Sequence, residues 1–285
     1  MLKKILLYLF NGLLIIVAFI GLLLVWIHHD IKTGREYYKS ESQPHTYPNR
    51  YSNFELYTDW KTFYPQFSKD IEGAREYVYI HYFSIGSGKA SKKFFDLLQK
   101  KANEGVEVYY SVDRAGSLKG KNDWFDELKK AGVHLTYSND PHFPHIWYTI
   151  QHRNHRRIAV IDGKIGYTGG LNIAEKYTKD TWHDYQIRMT GEGVQDFETQ
   201  FSRDWKVNTD QSPPVHKVAF EKGKTEHFLK VYSSGYGVVE DFIKEFESAK
   251  KQIIIATPYF IPDNRDFMNA LIKARKRDVE VIIMW

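Results

Sequence analysis

The apolar and polar positions divide the chain into two regimes. From Ile5 to Ile27 the sequence reads ILLYLFNGLLIIVAFIGLLLVWI, 23 residues without a charge. About 20 apolar residues suffice to cross a bilayer as a helix. The run ends in Val25-Trp26-Ile27 and then His28-His29-Asp30, with no small-residue cleavage site, and Trp26 suits a membrane interface. The pattern predicts an uncleaved anchor over 1–28, with a cleaved signal peptide as the competing reading. Lys3 and Lys4 precede the run, and Lys32, Arg35 and Lys39 follow it. That balance leans toward a cytoplasmic C-terminal domain in a single-pass protein of the cell membrane. Residues 29–60, with Pro44 and Pro48 and no clear period, read as a connector.

Beyond residue 60 the period alternates between helical and extended. FSKDIEGARE (Phe67 to Glu76) reads as a helix and YVYIHYFSI (Tyr77 to Ile85) as a strand. Ala90 to Gly105 carries an apolar helical face at Phe94, Phe95, Leu97, Leu98 and Ala102, with Gly105 placed to close it. VEVYYSV is a strand, KNDWFDELKKAG a helix and VHLTYS a strand. The alternation predicts an α/β fold, a mixed sheet flanked by helices.

The pattern then restarts. Asp241 to Ile261 resembles Gln66 to Ile85, and Asp266 to Trp285 resembles Lys93 to Val112. Val106-Glu107-Val108 recurs 173 positions on as Val279-Glu280-Val281. This predicts an internal duplication: one complete module over 61–220 and the start of a second, truncated one over 221–285.

Composition adds little. The chain has no cysteine, which excludes disulfides and thiolate metal sites, and its net charge of +5 suits an anionic partner without requiring one. His142, His145, His152 and His155 lack helical spacing with an acid partner, so no metal and no cofactor are expected.

The candidate chemistry lies in RNHRRIAVIDGKIGYTGGLN, Arg153 to Asn172. Arg157 to Asp162 reads as a strand, so His155 and Arg157, two apart, point the same way from an extended backbone. An imidazole serves as nucleophile or acid/base near neutral pH, and a guanidinium fork matches phosphate oxygens. Gly169 and Gly170 permit close backbone approach, and Asn172 adds an amide. The competing reading is a solvated basic strand end. Just upstream, DPHFPHIWYTIQ reads as a lipid-facing lip bearing Trp147 and Tyr148 or as a plain buried loop. Asp113, at a strand end, lines the cleft or caps a turn.

The spacing His-x-Arg-x4-Asp-x6-Gly-Gly-x-Asn resembles the phospholipase D superfamily signature His-x-Lys-x4-Asp-x6-Gly-Ser-x-Asn. NHRRIAVIDGKIGYTGGLNIAEKY, WHDYQIRMTGEGV and ATPYFIPD are similar to segments of bacterial cardiolipin synthases. The resemblance covers nearly all of the chain after about residue 50. It implies transfer of a phosphatidyl group between phosphatidylglycerol molecules, without metal, through a phosphohistidine. A histidine of a second motif would protonate the leaving alcohol. It implies a catalytic set of His155, Arg157 and Asp162, of which Asp162 is expected to support the strand and turn. Arg157, Gly170 and Asn172 would bind phosphate, and Asp184 would orient the imidazole. Anionic phospholipid and the membrane are the implied partners, with a homodimer as a further option and no nucleic acid expected.

Three departures stand out: Arg157 for lysine, Gly170 for serine, and no second histidine motif. At the same shift that motif would fall near position 328, beyond Trp285, so this length is expected to have little synthase activity alone. The alternatives are a single-motif homodimeric phosphodiesterase or nuclease, and an inactive membrane-bound fragment.

Overall fold

The computed structural model describes residues 1–38, 45–218, 220, 227–233, 238–257, 259–262 and 264–284. Two compact units divide the chain, one of Met1–Gln43 with Asn49–Leu229, the other of Pro44–Pro48 with Lys230–Trp285.

In the first unit the apolar run forms helix α1 (Leu2–Tyr37), which continues well past the predicted span. The expected connector is therefore largely structured, because β1 (Thr46–Tyr57) follows. Among β1's side chains only Tyr47 and Ser52 are buried, so no apolar alternation marks it. Helix α2 (Trp60–Glu72) begins seven residues before the predicted Phe67. Asp59 caps it by accepting the Thr62 N–H at 2.9 Å, and Trp60, Phe63, Phe67 and Ile71 form its buried face.

Then come β2 (Tyr77–Tyr82), α3 (Lys89–Asn103), β3 (Glu107–Asp113), α4 (Asn122–Lys130) and β4 (His134–Ser138). A short helix α5 (Ile146–Gln151) precedes β5 (Ile158–Ile161), β6 (Ile165–Gly169), β7 (Gln186–Gly191) and α6 (Val194–Thr209). The strands run in the order β4-β3-β2-β5-β6-β7-β1. β2, β3 and β4 are parallel, and the pairs from β2–β5 onward are antiparallel, as a mixed sheet was expected to be. Phe63, Phe67, Phe94 and Phe95 cover one face of the sheet. On the other, Phe201 and Trp205 of α6 meet Tyr79 and Tyr109. Every residue of β2 is buried, the signature of a central strand covered on both faces.

Strand β8 (His227–Tyr232) straddles the two units. The second unit carries α7 (Val238–Ser248), β9 (Gln252–Ala256), α8 (Arg265–Lys276) and β10 (Glu280–Met284). β9 and β10 are parallel, as β2 and β3 are. The helices before β3 and β10 also end in the same kind of cap. Gly105 has φ +88° and Val106 N–H donates to Lys101 O at 3.1 Å. At the equivalent positions Asp278 has φ +63° and Val279 N–H donates to Ala274 O at 3.2 Å.

Candidate active site

The register brings the motif residues to one edge of the sheet. His81 on β2 pairs with Ile158, Ile158 with Thr168, and Gly169 with Gln186. The C-terminal ends of β2, β3 and β6 thus meet the N-terminal ends of β5 and β7. In open sheets the carboxyl ends of parallel strands are where ligands bind.

His155 does not stand on a strand, because β5 begins only at Ile158 and residues 152–157 are irregular. A network through Asn154 holds it instead. The Asn154 N–H donates to Asp113 Oδ2 at 3.1 Å, and its side-chain amide donates to Asp204 at 3.3 Å. Its carbonyl lies 3.3 Å from Nε2 of the buried His81, whose Nδ1 lies 3.0 Å from the Ser111 hydroxyl. A carbonyl only accepts, so His81 carries its proton on Nε2. Asp113 is fully buried and also accepts from Ala115 N–H, Gly116 N–H and Arg153 Nη1. It is a positioning residue, tying the β3 end to the segment that carries His155.

The basic run HRNHRR is not uniformly solvated. Arg153 is bound to Asp113, to Asn139 O at 2.7 Å and to Thr149 O. Arg156 is paired with Asp204 at 3.0 Å. Arg157 donates from Nη1 to His155 O at 2.9 Å, and its Nε, like that of Arg153, is buried without a partner.

One face of the His155 ring lies on Phe83, centroids 4.0 Å apart and planes 15° apart, while the residue as a whole remains exposed. Desolvation on that face, then the Arg157 charge, hold its pKa below the usual histidine value, against an opposing pull from Asp113. The imidazole is therefore mainly neutral near pH 7, the form a nucleophile requires.

Asp162 lies at the far end of β5 from His155. Its carboxylate accepts from the Arg75, Glu76 and Tyr77 backbone N–H groups at 2.9, 2.9 and 3.0 Å. It fastens the turn before β2, at the opposite end of β5 from His155. Two of the three expected phosphate ligands also act differently. The Gly170 N–H donates to Tyr185 O at 2.8 Å, and a β-carbon at Gly170 would overlap the Asp184 carboxylate. Asn172 is fully buried. Its Oδ1 accepts from Ser84 N–H at 3.0 Å and its Nδ2 donates to Tyr177 OH at 2.7 Å, which fixes the loop after Phe83. Asp184 itself accepts from Tyr185 N–H at 2.9 Å. No hydrogen bond joins Asp184 to His155 among the described residues.

A residue that the sequence did not single out emerges in their place. Gln186 is fully buried, and neither its Oε1 nor its Nε2 has a partner. Arg157 immediately precedes β5, and Gly169, which follows Thr168, pairs with Gln186. A β-carbon at Gly169 would lie 2.5 Å from Gln186 Oε1. The sequence signal was the register between β6 and β7, which spacing within one strand does not disclose. A separate cavity of about 310 Å³ is lined by Tyr38, Tyr137, His142, Tyr148 and His152 among others, and does not include His155 or Arg157.

A sequence model of the family described as "Cardiolipin synthase, PLD-like domain" matches residues 67–205 and 242–285. The minor cardiolipin synthase ClsB of Bacillus subtilis is 36% identical over 284 residues, covering 95% of this chain and 68% of the relative. A cardiolipin synthase of Halalkalibacterium halodurans is 31% identical over 246 residues, covering 82% of this chain and 49% of the relative. Among solved structures, a phosphatidylserine synthase of Haemophilus influenzae matches with a TM-score of 0.60 at 15% identity, over 88% of this chain and 65% of that one, which shows the shared fold. With the histidine motif at the sheet edge and the family model matching residues 67–205 and 242–285, the chain belongs to the phospholipase D-like cardiolipin synthase family.

Proposed function

We propose that the protein transfers a phosphatidyl group from one phosphatidylglycerol to another. The observation that carries this reading is the neutral, Phe83-stacked His155 beside an Arg157 whose Nε lacks a partner. The imidazole attacks phosphorus, a P–N bond forms, and the P–O bond to the leaving glycerol breaks. The leaving oxygen takes a proton from an acid, which the resemblance assigns to the histidine of a second motif. The hydroxyl of a second phosphatidylglycerol then attacks the phosphohistidine, gives up its proton and frees the imidazole. Arg157 and the Gln186 amide hold the non-bridging oxygens through both steps. Asp184 orients the imidazole. Helix α1 crosses the membrane once, with the α/β domain on the cytoplasmic side. Two copies of the chain would bring two His155 motifs together, one as nucleophile and one as acid.

The test is to reconstitute the chain in phosphatidylglycerol vesicles, quench in alkali, and map the peptide carrying an acid-labile phosphatidyl group. The adduct is expected on His155 and absent from His155→Ala. An adduct elsewhere, or cardiolipin formation undiminished in His155→Ala, overturns the assignment.

A further inference from the structure

Helix α1 does more than tether the domain, because its end beyond the apolar run is clasped to the segment that leads into His155. Trp26 meets Trp147 edge to face with centroids 5.9 Å apart. Asp30 is 3% exposed, and its Oδ2 accepts from Trp147 N–H at 2.7 Å and Tyr148 N–H at 3.1 Å. Gly34 leaves room for Tyr148, since a β-carbon there would lie 2.5 Å from Tyr148 Cβ. Farther out, Tyr38 stacks on Tyr148 at 8° and its hydroxyl lies 2.6 Å from His142 Nε2. A buried aspartate inside a helix that continues a membrane span requires a fixed partner, and α5 supplies it.

These contacts set heights. A helix rises about 1.5 Å per residue, so Asp30 stands about 4.5 Å beyond Ile27 and Tyr37 about 15 Å beyond it. The headgroup zone on each side of the hydrocarbon is only about 5–7 Å deep. Trp147, at the level of Trp26 and Asp30, therefore lies within that zone. Ile150, one turn along α5 on the same face and 45% exposed, lies beside it. Phe143 is 70% exposed but precedes Pro144 and His145 at the level of Tyr37, outside the zone.

We propose that Trp147 and Ile150 form a membrane lip, seated among phospholipid headgroups beside α1, and that the Asp30 clasp holds the active site at headgroup height. The proposal rests on reading α1 as a membrane span and deepens it. His155 follows Gln151 by four residues, a reach of at most about 14 Å. Arg153 shortens that reach by binding Thr149 O inside α5 and Asp113 at the sheet edge. A phosphodiester then meets the imidazole without its lipid leaving the leaflet.

The chain has no cysteine, so single-cysteine variants give clean labelling. We would attach an environment-sensitive fluorophore at Leu14→Cys, Phe143→Cys, Ile150→Cys and Lys130→Cys of the full chain. Each would be placed in nanodiscs of phosphatidylcholine and phosphatidylglycerol carrying headgroup or mid-chain nitroxide lipids. Leu14 is expected to be quenched best by mid-chain nitroxide. Ile150 should be quenched several-fold more than Lys130 by headgroup nitroxide, and Phe143 should match Lys130. A second substitution, Asp30→Ala, should bring Ile150 down to the Lys130 level while Leu14 is unchanged. Ile150 matching Lys130 while Leu14 is quenched overturns the lip and leaves the anchor standing. Leu14 escaping quenching overturns the anchor and the lip with it. Ile150 held at headgroup depth despite Asp30→Ala overturns the clasp.

Discussion

Asp162→Ala separates a structural from a chemical role for the motif's acid. The side chain is a nearly buried carboxylate that accepts three backbone N–H groups from residues 75–77. A hydrogen bond to a charged group contributes about 1.5–3 kcal/mol, but three bonds to one carboxylate do not add, so the expected loss is about 3–4 kcal/mol. For a domain of this size that lowers Tm by roughly 10 °C. Asp162→Asn keeps one carbonyl oxygen for Glu76 and Tyr77 but turns an NH2 toward the Arg75 N–H, so about half of the loss is expected. Chemistry at His155 should not change. Seven residues at about 3.3 Å each place the two groups roughly 20 Å apart, beyond the Debye length at physiological salt. The assay is thermal unfolding of the full chain in detergent, paired with peptide-resolved diethylpyrocarbonate labelling of His155, which reports the neutral imidazole without requiring turnover. An unchanged Tm together with an altered pH profile of His155 labelling at 25 °C would refute the structural assignment.

Other outcomes follow from the same geometry. Because burial and the Arg157 cation both disfavour the imidazolium, the His155 labelling midpoint should lie below the ordinary value of about 6.5. Arg157→Met removes one of those causes and should raise the midpoint; a fall or no movement contradicts the account. Arg157→Lys keeps the charge, restores the superfamily residue and should preserve or raise any phosphatidyl transfer, so complete loss in a folded variant would show that the guanidinium fork is required. Gln186→Leu removes a buried amide without a partner, so Tm should hold or rise, while turnover on phosphodiester substrate falls about tenfold or more. A lower Tm with undiminished turnover would mean that the amide serves the fold instead.

Much of the architecture was legible in one dimension. The alternation of helical and extended periods from Phe67 to Ser138 maps onto α2 through β4, because a central sheet covered on both faces leaves continuous apolar runs. The repeat was read from matching segments such as Val106-Glu107-Val108 and Val279-Glu280-Val281, and the helix ends before them share a cap, with Gly105 and Asp278 both at positive φ. Boundaries were less so. The helix start at Trp60 depends on the Asp59 cap, and β1 buries too little of its own surface to show a period.

The site divides the same way. The spacing of His155, Arg157, Gly169, Gly170 and Asn172 was visible as a motif, since one short continuous segment around β5 and β6 carries them all. What each group does was decided by partners distant in sequence. Arg153, Arg156 and Arg157 are alike as letters, yet Asp113 binds the first and Asp204 the second, while the third donates to the His155 carbonyl. Asn172 is turned inward by Ser84 and Tyr177, and Gln186 is set opposite Gly169 by the pairing of β6 with β7. The sequence by itself determined the apolar span, the α/β alternation, the repeat and the motif, because each is written in local periodicity or spacing. Only the tertiary structure decided which donors remain available beside His155 and where α1 grips α5, because those follow from register and from contacts between segments more than a hundred residues apart, such as Asp30 and Trp147.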